Sequence, residues 1–193
     1  GNFAVKHNIP VTQTVMGYST MKRDHSHFVG PIGGLGGRAA NNLAKETDLA
    51  ICVGTKLADF TTGSWANFEN PEFKLVSINI ARHDANKHLA EAVIGDAKVC
   101  LSELSNSLGN WKSPDSWHKK SQDELKSWNE YVDKESGPTN QETPSYAHAV
   151  GAIYRNSDPT DIAVTAAGGL VGEVVQVWRP KELNTHETEW GFS

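Results

Sequence analysis

Apolar residues along this chain come in short runs, broken by polar and glycine-rich stretches, and the runs alternate between two periods. Residues 9–15 (IPVTQTV) read as a strand after a short helical stretch. Residues 30–37 are glycine-rich, and RAANNLAKE (Arg38–Glu46) has a helical apolar stripe. LAICV (Leu49–Val53) is a buried-type strand closed by Gly54, and residues 73–80 (FKLVSINI) form a stronger one. A short third strand spans residues 92–94. Gly95-Asp96 then opens a helix over Ala97–Leu108, with Asp96 as its N-cap. Strands separated by helices predict a parallel sheet covered by helices, hence an α/β fold.

The pattern changes after Asn110. Residues 111–137 are polar and charged, yet Trp117, Leu125, Trp128 and Val132 fall on one helical face. This predicts an amphipathic linker helix ended by Gly137-Pro138. A second α/β unit is expected from Thr143-Pro144, an N-cap and N1 pair. Its helix runs to about Arg155, and a strand follows at residues 162–164. A small-residue turn, Thr165-Ala166-Ala167-Gly168-Gly169, leads into another helix-compatible segment. A last Gly-aromatic turn, Trp190-Gly191-Phe192-Ser193, ends the sequence. Parallel strands need cover on both faces, and a unit only just begun cannot supply it. The expectation is therefore a stretch of a longer protein, divided as residues 1–110, 111–140 and 141–193.

Composition narrows the classes. A length of 193 residues allows one large domain or two small ones, and 38% hydrophobic content suffices for a core. The net charge is -5 with acids and bases interspersed. Without a Lys/Arg block, no nucleic-acid footprint is expected. No apolar run approaches the roughly 20 residues of a membrane span. The first residues, Gly1-Asn2-Phe3-Ala4, have neither a start Met nor a signal-peptide pattern. Cys52 and Cys100 sit in apolar segments and read as two reduced, buried cysteines of a cytoplasmic protein.

Candidate chemistry is sparse. Gly34-Leu35-Gly36-Gly37-Arg38-Ala39 matches G-x-G-x-x-A before a helix, which invites a dinucleotide site. That fingerprint needs a strand directly before its first glycine and an acidic residue closing the next strand. The strand at residues 9–15 ends far upstream, and Val53 is followed by Gly54. A glycine loop that lets a helix pack close to a sheet is the plainer reading. His25, His27, His83 and His88 lack a recognised metal-ligand spacing and read as surface or capping groups. His83-Asp84 follows a strand, where α/β proteins place ligand-facing loops, although a simple turn explains it equally. Ser64 is not in a nucleophile elbow. Gly168-Gly169 is the best phosphate-facing pair, because strand, glycine turn and helix bring bare backbone N–H groups to an anion. A tight turn with no ligand is the alternative.

The order IPVTQTVMGYST, HSHFVGPIGGLGGRAANNLAKETDLAICVGTKLADF, FKLVSINIARHDANKH and AVIGDAKVCLSEL resembles the thiamine-diphosphate-dependent enzymes of the acetolactate synthase and pyruvate decarboxylase superfamily. The combination of TTGSW, SINIARHDANKH and VTAAGGLVGEVVQVWR…ETEWGFS narrows the resemblance to a branch that hydrolyses a C–C bond of a cyclic 1,2-diketone in inositol catabolism. The resemblance covers essentially the whole chain. It implies a Rossmann-like central domain over residues 1–110, a linker over 111–140, and the start of a cofactor-binding domain over 141–193. It implies thiamine diphosphate and Mg²⁺ as cofactors, a polyhydroxylated cyclic diketone as substrate, and a homo-oligomer with the cofactor at a subunit interface. The activating glutamate and the G-D-G…N metal motif are absent from this sequence, so no catalytic or metal residue is assigned within it. Cofactor contacts carry over to Gly168, Gly169 and Leu170 beside the diphosphate, and to Gly191, Phe192 and Ser193 near the aminopyrimidine. Alternatives are another carboligase or decarboxylase of the superfamily, a non-catalytic nucleotide-binding module, or a structural interaction domain.

Overall fold

Seven strands, all paired in parallel, organise residues 1–189, the part of the chain that the computed structural model describes. Helix α1 (Asn2–His7) precedes β1 (Val11–Gln13), which pairs with β2 (Phe28–Pro31). Helix α2 (Arg38–Glu46) leads into β3 (Leu49–Val53), β4 (Lys74–Asn79) and β5 (Glu91–Ile94), in the spatial order β3-β4-β5. The crossovers carry two single-turn helices, α3 (Asp59–Thr62) and α4 (Arg82–Ala85). Helix α5 (Ala97–Leu108) starts at Asp96, whose carboxylate accepts from the amides of Lys98 and Val99 at 2.9 and 3.0 Å. Helix α6 (Asp115–Glu135) is the long amphipathic element. Beyond it come α7 (Tyr146–Asn156), β6 (Ala163–Thr165), α8 (Leu170–Val177) and β7 (His186–Thr188), with β6 and β7 paired. Among the described residues no helix is long and apolar enough to cross a membrane.

The bounds of α2, β3 and α5 are those the sequence predicts, whereas other features differ. Strand β2 was not foreseen, because Phe-Val-Gly-Pro is short, wholly buried and carries two residues that weaken strands. Strand β7 was not foreseen either; His-Glu-Thr is polar and is a strand only because β6 lies beside it. Helix α7 begins at Ser145 rather than at Thr143-Pro144. The Ser145 hydroxyl accepts from the His148 amide, and the His148 ring accepts from the Ser145 amide, completing a capping box. Helix α6 ends at Glu135 with Ser136 as its C-cap, so Gly137-Pro138 follow directly as the sequence predicts, and the Ser136 hydroxyl donates back to the Val132 carbonyl at 2.7 Å. Cys52 and Cys100 are unpaired as expected, but half-buried rather than buried. Desolvation raises the Cys52 thiol to about 12, so it stays protonated and unreactive near neutral pH.

Packing converges on α6. Its Trp117, Leu125 and Trp128 lie against Val29 of β2 and against Ala39 and Leu43 of α2. Trp128 also touches a second core, built from Val132, Val150, Val174, Val177 and Trp178. Small residues permit this approach. Ala39 and Ala40 of α2 are fully buried, and a Cβ at Gly37 would stand 2.7 Å from the Trp128 indole nitrogen. Arg38 lies over the rings of Trp128 and Tyr131, at 5.5 and 5.2 Å from their centroids. Gly37→Ala should therefore destabilise the chain by about 1–3 kcal/mol through overpacking. Urea unfolding checks this, and an unchanged midpoint would show that the indole moves aside freely.

Candidate functional site

The strand–turn–helix unit of residues 163–177 presents the most open backbone of the predicted site. Strand β6 runs into Ala166-Ala167-Gly168-Gly169, and all four of these residues and Leu170 are exposed. Gly168 has φ +142°, a conformation that side chains disfavour. Gly169 is the N-cap of α8 with ordinary dihedrals (φ -65°, ψ -32°), and no side chain caps the helix. A Cβ built on either glycine meets nothing within 4 Å. The amide donors at the start of α8 thus lie in an exposed turn without a side-chain cap, with the positive end of the helix dipole behind them. Glu173 sits in the first turn and is the opposing charge at this end.

Two faces of α8 fix the turn. Val171 and Val175 pack on Val15, with Leu35 beside them, while Val174 and Val177 enter the core shared with α6 and α7. Strand β7 is held from the first half of the chain. The His186 amide donates to the Ser19 hydroxyl at 3.3 Å, and the Asn184 amide donates to the Ser19 carbonyl at 3.0 Å. The Tyr18 ring meets the His186 ring edge-on at 5.2 Å. Burial pushes the Tyr18 hydroxyl well above its usual range and pulls the His186 imidazole below its own. Gly168, Gly169 and Leu170 therefore lie together at one end of this unit. Gly191, Phe192 and Ser193 lie outside the described residues.

The glycine loop at residues 30–37 differs from expectation in one respect and agrees in another. A strand, β2, does directly precede the glycines, so that objection to a dinucleotide site falls. What argues against the site is donor accounting. The amide of Gly33 donates to Asn41 Oδ1 at 2.9 Å, and that of Gly34 to the Phe60 carbonyl at 2.7 Å. The amides of Gly36 and Gly37 donate to the carbonyls of Gly33 and Pro31 at 2.9 and 2.8 Å. A Cβ at Gly33 would collide with the Phe60 backbone. These glycines spend their freedom on internal packing, and Val53-Gly54 still offers no acidic residue to a ribose.

The remaining candidates are spread out. His83 lies in α4, where Asp84 pairs with Lys87 at 2.6 Å; that hydrogen bond holds the Asp84 carboxyl below its ordinary range. His88 packs its ring on Trp65 at 4.4 Å and bonds the Leu57 carbonyl at 3.2 Å. Thr62 is buried in α3, and Ser64 follows it in the loop with φ 53°. His27 is buried against His118, a contact that residues so far apart give no sign of in the sequence. Among the described residues no group of three or more His, Cys, Asp or Glu side chains could hold a metal ion.

Comparison with known proteins identifies the family. Residues 1–104 match the family described as thiamine pyrophosphate enzyme, central domain. The whole chain is 32% identical over 215 aligned residues to 3D-(3,5/4)-trihydroxycyclohexane-1,2-dione hydrolase of Clostridium perfringens (strain 13 / Type A), covering 34% of that protein. The protein of the same name from Geobacillus thermodenitrificans (strain NG80-2) is 30% identical over 99% of the chain and 33% of its own length. The chain spans about a third of the length of the curated relatives it matches. It belongs to the thiamine pyrophosphate enzyme family, and residues 1–104 are its central domain.

With its amides engaged, the loop at residues 30–37 should bind no dinucleotide. Equilibrium dialysis with NAD, FAD and ADP is expected to show no binding at micromolar concentration. Saturable binding that Gly36→Val abolishes would overturn the donor accounting.

Proposed function

We propose that, within the thiamine pyrophosphate enzyme family, this chain is part of a thiamine-diphosphate-dependent hydrolase that opens a cyclic 1,2-diketone of the trihydroxycyclohexane-1,2-dione class by cleaving a C–C bond. The observation that carries this reading is the reach of the similarity. The relatives match 99–100% of the chain at 30–32% identity, well past residues 1–104, the stretch that matches the family's central domain. We further propose the division into a central domain (1–110), a linker (111–140) carrying α6, and the start of a cofactor-binding domain (141–193). A homo-oligomer with the cofactor at a subunit interface completes the reading.

The turn at Gly168 and Gly169 fits one end of a diphosphate. It is open, has no side-chain cap, and offers the amides at the start of α8 to phosphate oxygens. The described residues offer Mg²⁺ no ligand set, so the ion's ligands are assigned to the rest of the protein. When bound, the cofactor supplies the thiazolium electron sink that C–C cleavage needs. The residues here bind and orient. Gly168 turns the chain at φ +142°, Gly169 leaves the approach clear, and Leu170 begins the helix whose dipole favours the anion. Gly191, Phe192 and Ser193 are proposed to lie near the aminopyrimidine.

The two glycines test this differently. Gly168 is required by its dihedral whether or not a ligand binds, so its substitution says little about the site. Gly169 has ordinary dihedrals and open space around it, so Gly169→Val should leave folding intact. In the longer protein, Gly169→Val is expected to raise the thiamine diphosphate concentration for half-maximal activity at least tenfold, about 1.4 kcal/mol. The melting temperature of the apo form should not change. Unchanged cofactor affinity would remove this turn from the site.

A further inference from the structure

Helix α6 meets the first α/β unit through histidines. The rings of His27, just before β2, and His118, in the first turn of α6, stack with centroids 4.3 Å apart and planes at 22°. His25 lies edge-on to His27 at 6.0 Å. Only 6% of His27 is exposed. We propose that the His27–His118 stack is a proton-sensitive latch: it holds the amino-terminal end of α6 on the first unit while both rings are neutral, and releases it when they are protonated.

The hydrogen bonds show why the neutral rings are preferred. Asn8 Nδ2 donates to the Ser113 carbonyl at 3.1 Å and to Asp115 Oδ1 at 3.0 Å, which fixes its Oδ1 as the acceptor facing His27 Nε2 at 3.3 Å. His27 therefore carries its proton on Nε2, and Nδ1 accepts from the Ser26 hydroxyl at 2.9 Å. His118 Nδ1 is buried without a partner, so protonation there creates a buried donor with no acceptor. A charge on both rings would also place two cations in contact. Burial, then His118 and His25, hold the His27 imidazole below its ordinary value.

Asp24 beside His25 and Asp115 in α6 are carboxylates on the elements that carry the stack, but burial and the neighbouring imidazoles outweigh them at His27. On α6, the Asp115 carboxylate is engaged by Asn8; Lys119 pairs with Asp123, and Lys120 with Glu46 of α2. On α1, Lys6 donates to Ser105 of α5, and His7 bonds the Trp111 carbonyl and the Ser105 hydroxyl. In the loop before β2, Lys22 pairs with Glu182, and Arg23 donates to the Tyr154 hydroxyl. The stabilisation from a base with a lowered pKa is complete above the unfolded value near 6.5 and is lost as pH falls through and below it. Local release of α6 is therefore an acid event.

Hydrogen exchange tests the latch in the 193-residue chain, with rates corrected for the intrinsic effect of pH. Global melting is unsuitable because His186, elsewhere in the fold, shifts in the same direction. Between about pH 7.5 and pH 5.5, protection of the amides of residues 117–121 should fall several-fold, up to about tenfold for one imidazole, and more than that of α2. In His118→Phe, which keeps a flat ring against His27 but removes the second charge, that acid-induced loss should shrink to the part that burial of His27 alone imposes. Constant protection in the wild type, or an equal loss in the variant, would overturn the latch. Imidazole NMR of the wild type tests it without any variant. Titration of His27 below about 6.5, with the Asp115 and Trp117 amides moving alongside, supports the latch; titration at or above that value overturns it.

Discussion

The indole of Trp128 is the contact on which the rest of the structure depends. It belongs to two hydrophobic cores at once, one with β2 and α2 and one with α7, α8 and Val132. Interiors are close-packed, so a side chain shared between cores makes their positions interdependent. The sequence accommodates it with small residues: Gly37 and the alanines of α2 bring that helix in, and the Arg38 guanidinium covers the outer face of the ring. A chain that looks divisible into two α/β units is thereby tied through one long polar helix.

The candidate cofactor turn inherits its placement from this arrangement. Helix α8 is held on two sides, one on Val15 and Leu35 of the first unit and the other on the Trp128 core. Strand β7 is pinned by Ser19, so the sheet that ends in the turn is gripped from both sides. Exposed backbone carried on a buried frame suits recognition of an anion, because the donors are oriented before the ligand arrives. The outer face of β6 is another matter: Ile162 and Val164 are 62% and 71% exposed, an apolar face without cover in this chain.

Much of this was legible in the sequence, and the misses have physical causes. Periodicity works where an element buries one face, which is why Arg38–Glu46 and Ala97–Leu108 come out residue for residue, the latter with its Asp96 cap. It fails for β2, whose four residues are all buried and show no alternation, and for β7, whose pairing is tertiary. The capping box at Ser145 went unseen because its third partner is His148 and not a Glu or Gln. Because β2 directly precedes the glycines, the missing-strand argument at residues 30–37 gives way to the engaged amides. At the candidate site, the sequence pointed to both glycines but could not tell them apart. Only the backbone shows that Gly168 needs its positive φ and that Gly169 does not. The His27–His118 stack joins positions with no shared motif and was beyond any reading of the sequence.

The central claim is that the start of α8 cradles the diphosphate of thiamine diphosphate. An experimental structure of the longer protein with that cofactor bound measures it directly, as the distance from the backbone nitrogens of Gly169 and Leu170 to the nearest phosphate oxygen. The account predicts at least one separation of about 2.7–3.2 Å, a hydrogen bond. A bound cofactor whose phosphates contact neither amide, with the turn facing solvent or another part of the protein, would contradict it.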